Sequence, residues 1–517
     1  MKIMKFGSKS LATPERLKQV AGIILAEPMQ KIVVFSAISG TGRALNSICD
    51  LLAQNQKVEA RIKIDELFIK YRNFISGLLE QDSHIESAMS VLEEQFGFLN
   101  FILKISYSDA LKSDILSQGE LLSTRIFSIY LAEQNVKHAV LPALDFMQLD
   151  ANGEALIGPI KIKLSQILQR TPNTILLTQG YLVRNVKGDV ASLGQGGGDY
   201  SAALIASALN AEVCEIWTDV ADMIDSNLNI TRDSKIDNIL SFEEAAELAY
   251  YGGKLLLPSS IGPANYSGIP VTLKDLSNPQ AKGTTITTSS HYNGVAAIAT
   301  RNHFVTFQIR NNKIYLRDGF LSQVLAVFAK FDTAIEMITT SEVGVAVSIT
   351  NKEHLNSIVT ELSTIGSVEL NEFQSMICLV GNVITRTDQV IKKIFDALDG
   401  IPLSMISFGA SPHSISFIVS EMDREEAVQR LKATIFRDEE IIKKVENGIL
   451  LRSEELVSSQ TGISNGNSSY SVMPKMPENP INTELRKEKI YGDNIFNRSE
   501  IEKNKIDFEK FFRDHSM

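Results

Sequence analysis

Short apolar runs alternate with longer runs of helical period through the first half of this chain. Lys2–Phe6 reads as a strand that stops at Gly7. Leu17, Val20, Ile23 and Ile24 then recur at helical spacing after a Thr13-Pro14 start, which predicts a helix over Thr13–Ala26. Lys31–Ala37 reads as a buried strand, Ile38-Ser39-Gly40-Thr41-Gly42 as a turn, and Arg43 to about Gln54 as a helix. Strand, glycine turn and helix, stated twice, is the grammar of a parallel α/β sheet. Ligands of such sheets sit beyond the carboxyl ends of the strands. Gly7-Ser8-Lys9 and Ser39-Gly40-Thr41-Gly42 therefore point at one crevice.

From Val58 to about Ile105 the pattern is helical and predicts an inserted helical hairpin. Gly119–Gln134 predicts another helix, with Glu120 at its start, where the helix dipole would favour the ionised form. Ala139–Leu141, Ile175–Thr178 and Val213–Trp217 read as strands, the last running into Thr218-Asp219 at the ligand edge. Phe242–Leu255 predicts a helix ending at Gly252-Gly253 with Lys254 beside them, and Pro258–Thr288 closes this region with strands and turns. After Thr288 the pattern changes. Gly294–Thr300, Phe304–Ile309, Val345–Ile349, Ser367–Leu370, Met376–Gly381, Ser404–Phe408 and Ile415–Val419 read as strands. Helices are predicted over Phe320–Phe331, Leu355–Ile365, Val390–Asp396 and Arg424–Ile435. Two successive β-rich units, each with two helices, suggest a tandem of ferredoxin-like α+β sandwiches. Ser453–Thr483 is rich in Ser, Asn, Gly and Pro, as in a flexible linker, and the end is densely charged. That end reads as a disordered tail or as a short helix that docks on a partner or on the chain itself.

Composition narrows the class. The 517 residues carry a formal net charge of -10 without a strong basic block, which argues against nucleic acid as a partner. Three widely spaced cysteines argue for a reducing compartment and against a disulfide framework. No window offers the roughly 20 apolar residues of a membrane span, and the N-terminus lacks a signal-peptide pattern. The expectation is a soluble cytoplasmic protein.

The stretch Ala191–Asn210 concentrates the candidate chemistry. Gly194-Gln195-Gly196-Gly197-Gly198 feeds Asp199 and an alanine-rich helix. Such a turn holds a phosphate on converging backbone N–H groups, or is simply a tight strand-to-helix connection. An acidic residue there needs a purpose, such as orienting a donor or a metal.

Taken in order, Lys5-Phe6-Gly7, Ser36-Ala37-Ile38-Ser39-Gly40, Gly119-Glu120-Leu121-Leu122-Ser123, Gly196 to Leu204, Trp217-Thr218-Asp219-Val220, Glu244 to Lys254 and Ile338 to Val343 resemble the motifs of aspartokinases. The resemblance covers about residues 1–436. It implies an amino-acid-kinase three-layer α/β sandwich with a mostly parallel sheet over residues 1–288, with a helical insertion at 57–106. Two ferredoxin-like α+β ACT domains would follow over 289–438, then a linker and tail over 453–517. It further implies transfer of the ATP γ-phosphate to the aspartate β-carboxylate at the entry to lysine, threonine and methionine synthesis. Magnesium would be carried by ATP with no metal site of the protein's own, an amino-acid effector would bind the ACT pair, and the chain would form a homo-oligomer through it. Carried over residue by residue, Lys5 and Asp199 are catalytic, Asp199 orienting Lys5 or metal-bound water. Glu120, Gln195 and Gly42 lie at the substrate. Gly7, Ser8, Gly40, Gly196, Gly197, Thr218, Asp219 and Lys254 lie on the nucleotide side. Arg317, Glu336, Thr340 and Ser341 lie at the effector surface.

The sequence also departs from the family pattern. The usual Lys-Phe-Gly-Gly-Thr-Ser is here Lys5-Phe6-Gly7-Ser8-Lys9-Ser10. The usual Thr-Asn after the second turn is Gly42-Arg43, and the arginine of the glycine turn is Gln195. Arginine to glutamine removes a bidentate cation for a carboxylate, a contact worth roughly 1.5–3 kcal/mol. Lys9 and Arg43 add two cations to the same crevice, which either restore anion binding from new directions or face solvent. Arg317 and Glu336 stand where lysine-sensitive members have serine and aspartate. Three readings stay open at this point: an aspartokinase, a catalytically impaired paralogue that binds ligands or partners, and a kinase for another carboxylate.

Overall fold

The computed structural model describes residues 1–172, 174–194, 196–218, 239–251, 258–289, 294–311, 319–382 and 388–435. The proposed linker and tail lie outside the described residues.

The first half runs β1 (Lys2–Phe6), α1 (Pro14–Ala26), β2 (Lys31–Phe35), α2 (Thr41–Ala53), α3 (Lys57–Leu78), α4 (Asp82–Ile102), α5 (Asp109–Glu133) and β3 (His138–Leu141). It continues with α6 (Ile157–Arg170), β4 (Ile175–Gln179), β5 (Leu182–Arg184), β6 (Val190–Ser192), α7 (Gly197–Leu209) and β7 (Val213–Thr218). Then come β8 (Ile239–Ser241), α8 (Phe242–Tyr250), α9 (Gly262–Tyr266), β9 (Val271–Asp275) and β10 (Thr284–Thr287). Eight strands form one sheet in the order β3-β4-β2-β1-β7-β9-β10-β8. Its pairings are parallel except β9 with β10. Fully buried strands such as β2 explain the continuous apolar runs, since helices cover both faces. Helices α1 to α5 pack on one face around Met4, Phe6, Val33 and Phe35. Helices α6 to α9 pack on the other around Ile3, Ile32, Val34 and Ile216. The predicted insertion is the α3–α4 hairpin.

One aromatic stack sets the sheet's central edge. The Phe6 ring lies 6.1 Å from that of Phe35 and 5.8 Å from that of Trp217, on the α1 side. Phe6 is fully buried, and burying such a ring stabilises by roughly 2–3 kcal/mol. Strand alternation then forces Lys5, one residue earlier, onto the α7 side.

The second half runs β11 (Gly294–Arg310), α10 (Phe320–Lys330), β12 (Met337–Thr340), β13 (Gly344–Ile349), α11 (Leu355–Ile365), β14 (Ser367–Asn382), α12 (Asp388–Ala397), β15 (Met405–Ser407), β16 (Ser414–Ser420) and α13 (Arg424–Ile435). Its strands form a single sheet, β12-β13-β11-β14-β16-β15. Two expectations change here. Each pair of short strands read from the sequence on either side of 301–303 and 371–375 is one long strand with bulges. The two sandwiches are also nested, not successive. The carboxyl half of β11 and the amino half of β14 pack with α10 and α11, while the other halves pack with α12 and α13. The first unit is therefore inserted between the first two strands of the second. Ala297, Ala299, Cys378 and Val380 of this sheet pack into the same core as α8, which ties the two halves together.

Candidate active site

The turns after β1, β2 and β6 meet at the carboxyl edge of the first sheet and enclose a crevice of about 560 Å³. Its lining brings together Lys5, Ser8, Gly40, Gly42, Glu120, Gly196, Gly197 and Asp199 from the sequence reading, with Lys9 and Arg43. Gly7 lies just behind, placed so that a Cβ on it would stand 3.5 Å from Lys5 Nζ. Thr218 ends β7 outside the lining, its carbonyl accepting from the Leu276 N–H at 3.2 Å. Gln195, Asp219, Lys254 and Arg317 lie outside the described residues.

One end of the crevice holds the pair Lys5 and Asp199, with Nζ 2.5 Å from Oδ1 and both side chains mostly buried. Asp199 sits in the first turn of α7, whose N-cap Gly196 has φ 75°, a left-handed conformation that glycine adopts without steric cost. The rest of the glycine run serves close approach. A Cβ on Gly198 would stand 3.1 Å from Ser36 Oγ and 3.2 Å from Lys5 Cε, and one on Gly180 would stand 2.8 Å from the Gly198 Cα. Lys5 is thus threaded between β2 and α7, and the helix N-terminus adds positive potential beside its ammonium.

The opposite wall is α2 and the middle of α5. Glu120 does not start its helix, because α5 begins at Asp109 and Glu120 lies mid-helix. The favourable dipole expected from the sequence is therefore lost, and burial instead pushes the Glu120 acid up to about 7, opposed by an N–H bond from Ala37 at 3.3 Å. Gly119, which looked like a helix boundary, is a contact residue: a Cβ there would stand 2.8 Å from that of Ala37. On α2, Gly40 at the N-cap has φ 83°. The Thr41 hydroxyl turns inward to the Tyr71 hydroxyl at 2.9 Å and does not stand in for a hydroxyl at Gly42. Lys70 of the α3–α4 insertion donates to the Ser39 carbonyl. Burial, and behind it the charge of Arg43, holds the Lys70 ammonium below its ordinary range.

The sequence reading missed Tyr181. It lines the crevice with φ 70°, an outlier for a bulky residue. Its N–H donates to Ser201 Oγ at 3.0 Å and its carbonyl accepts from the Leu193 N–H at 2.9 Å, which pins the strained backbone. Its position just past the end of β4, at the ligand edge, was the available signal.

The described residues of the proposed effector surface line two hollows. Thr340 and Ser341 line a hollow of about 280 Å³ with Arg310. Glu336 lies in a separate cavity of about 590 Å³ between α8 and the second sheet. Its carboxylate accepts from Arg301 Nη1 at 3.1 Å and from Thr350 Oγ1 at 3.0 Å, with Arg301 Nη2 3.0 Å away.

Residues 1–275 match the amino acid kinase family and residues 377–435 the ACT domain. The chain is 30% identical over 450 residues to lysine-sensitive aspartokinase 3 of Escherichia coli K12, covering 84% of this chain and 99% of the relative. It is 32% identical over 460 residues to the chloroplastic aspartokinase 1 of Arabidopsis thaliana, covering 84% and 80%. Among solved structures it is similar to E. coli aspartokinase III with lysine and aspartate in the T-state, at a TM-score of 0.70, 29% identity and coverage of 84% and 99%. The same enzyme with aspartate and ADP in the R-state gives a TM-score of 0.61 at 29% identity, covering 84% and 100%. No helix among the described residues is long and apolar enough to cross a membrane.

Proposed function

This chain belongs to the aspartokinase family, and from that premise we propose that it transfers the γ-phosphoryl group of ATP to the β-carboxylate of L-aspartate, the entry reaction to lysine, threonine and methionine. The observation that carries the reading is the Lys5–Asp199 pair at the foot of a crevice that also presents Glu120. Phosphoryl transfer asks a protein for positioning and charge neutralisation more than for covalent chemistry. Lys5 supplies a cation to the transferring group, and Asp199 fixes its ammonium. A β-carboxylate is already ionised near neutral pH and needs no base. One of its oxygens bonds to the γ-phosphorus as the bond to ADP breaks, and the product is an acyl phosphate. Glu120 accepts from the substrate ammonium, which draws its acid back down from about 7.

The glycine turn and first helical turn at Gly196 and Gly197, with Gly7, Ser8 and Gly40, form a cradle open to phosphate oxygens. Thr218, Asp219 and Lys254 take the nucleotide side. Magnesium would be carried by the nucleotide phosphates, where it would supply charge neutralisation. The second sheet, with Thr340 and Ser341 at one hollow, is the seat of control by an amino-acid effector and of homo-oligomer formation. Three free, buried thiols suit a reducing cytoplasm.

The test incubates purified protein with magnesium-ATP and L-aspartate and traps the acyl phosphate with hydroxylamine, beside the Gln195→Arg and Gly42→Thr double variant. Hydroxamate from the unaltered chain is the expected result. Hydroxamate only from the double variant would mean an impaired paralogue, and hydroxamate only from another carboxylic acid would mean a different acceptor.

A further inference from the structure

Resting on that reading of the crevice, we infer that Arg43 is the anchor for the α-carboxylate of the amino-acid substrate. The inference comes from how charge is distributed between the walls. At the reactive end the Lys5 cation is already met by Asp199 at 2.5 Å. On the α2 wall Arg43 lines the crevice and is exposed, with no ion pair to it among the described residues. Lys70 stands behind it, tied to the Ser39 carbonyl and feeling the Arg43 charge. The wall is also roomy. A Cβ on Gly42 would meet nothing within 4 Å, and the Thr41 side chain is committed inward to Tyr71.

Three charged groups of an acidic amino acid then find three partners. The side-chain carboxylate goes to the Lys5 end, where the phosphoryl group arrives. The ammonium goes to Glu120. The remaining carboxylate faces Arg43, whose planar guanidinium can donate two parallel N–H bonds to it, backed by the Lys70 charge. This makes the inserted α3–α4 hairpin part of substrate selection, since it carries Lys70. It also supplies from α2 the cation that Gln195 cannot supply from the α7 turn.

Calorimetric titration of L-aspartate into the full chain, loaded with a non-hydrolysable ATP analogue and magnesium, tests the anchor without turnover. L-aspartic acid α-amide, which keeps the β-carboxylate and the ammonium, is the control ligand. The expected result is that Arg43→Gln weakens aspartate about 10- to 100-fold, the span of one charge-assisted carboxylate contact. Binding of the α-amide should shift less than threefold, and Arg43→Lys should fall between the two. Equal aspartate affinity in the unaltered and Arg43→Gln proteins would overturn the inference, as would a failure of the unaltered protein to bind aspartate. Hydroxamate formation, measured separately, decides the reaction: aspartate binding through Arg43 without hydroxamate would defeat the proposed reaction and leave the anchor standing.

Discussion

Each wall of the crevice carries a helix capped by a left-handed glycine, Gly40 on α2 and Gly196 on α7, yet individual glycines beside these caps differ in the room they have. On the β4–α7 wall a Cβ at Gly180 would stand 2.8 Å from backbone, and one at Gly198 would press on Lys5 and Ser36. On the opposite wall a Cβ at Gly119 is packed as tightly, 2.8 Å from that of Ala37, but at the α2 N-terminus a Cβ at Gly42 meets nothing within 4 Å, and this open stretch is the open wall. Lys5 and Asp199, which match the family, sit on the crowded wall, and Gly42 and Arg43, which depart from it, sit on the open one, but Gln195 and Gly198 in the turn into α7 depart too, standing where the family has arginine and serine. A Cβ at Gly180 or Gly198 has to displace backbone, Ser36 or Lys5, whereas room at Gly42 admits a different residue.

Removing the cation of the crowded wall should have the largest effect. Lys5→Met is expected to lower hydroxamate formation on the order of a thousandfold, the cost of losing a positioned charge at a transferring group. The aspartate KM should move only a few-fold, because the substrate's other charges are held across the crevice. A kcat within tenfold of the unaltered protein would mean that the reactive end lies elsewhere. The next effect is on stability. Gly180→Ala forces a methyl against the Gly198 backbone and should cost about 1–3 kcal/mol, whereas Gly42→Ala should stay within about 0.5 kcal/mol. Denaturant midpoints measure both, and equal losses at the two glycines would erase the contrast between the walls.

Most of the first sheet was legible because buried parallel strands and amphipathic helices write distinct periods into the sequence. Lys5, Asp199 and Glu120 were legible through their motifs, and they do line one crevice. The state of Glu120 was not. Gly119 looked like a helix start, but it is a mid-helix glycine required by the approach of Ala37, a contact 82 residues away in sequence, 119 less 37. Tyr181 was invisible for a related reason, since its positive φ is held by its N–H bond to Ser201 and by the Leu193 N–H bond to its carbonyl. In the second sheet, Arg301-Asn302-His303 interrupts the alternation of β11, so a bulge looked like a strand end. His303 and Phe373, both at positive φ, mark the bends in the two long strands. Nesting depends on which strands pair, and no local pattern encodes that.

The smallest expected effect bears on the open wall and turns on pH. The Glu120 acid rises from the ordinary 4.5 to about 7 through burial. If its carboxylate receives the substrate ammonium, kcat/KM for aspartate should climb about tenfold per pH unit up to pH 7 and level off above it. Glu120→Gln should remove this limb and lower the plateau, while the KM for ATP stays put. The same group predicts a stability change of defined sign. Because its folded acid lies above its unfolded one, its stabilising contribution is complete below about pH 4.5 and is lost as pH rises through about 7. Glu120→Gln should therefore melt higher than the unaltered protein at pH 8, by about 1–2 kcal/mol once the open crevice is allowed for, with the gain fading toward pH 5. Saturating aspartate should cancel the gain, since a bound ammonium removes the cost of an ionised Glu120. A pH-independent kcat/KM together with unchanged melting at pH 8 would show that Glu120 is solvated in the free protein. The two walls would then differ in crowding alone and not in charge.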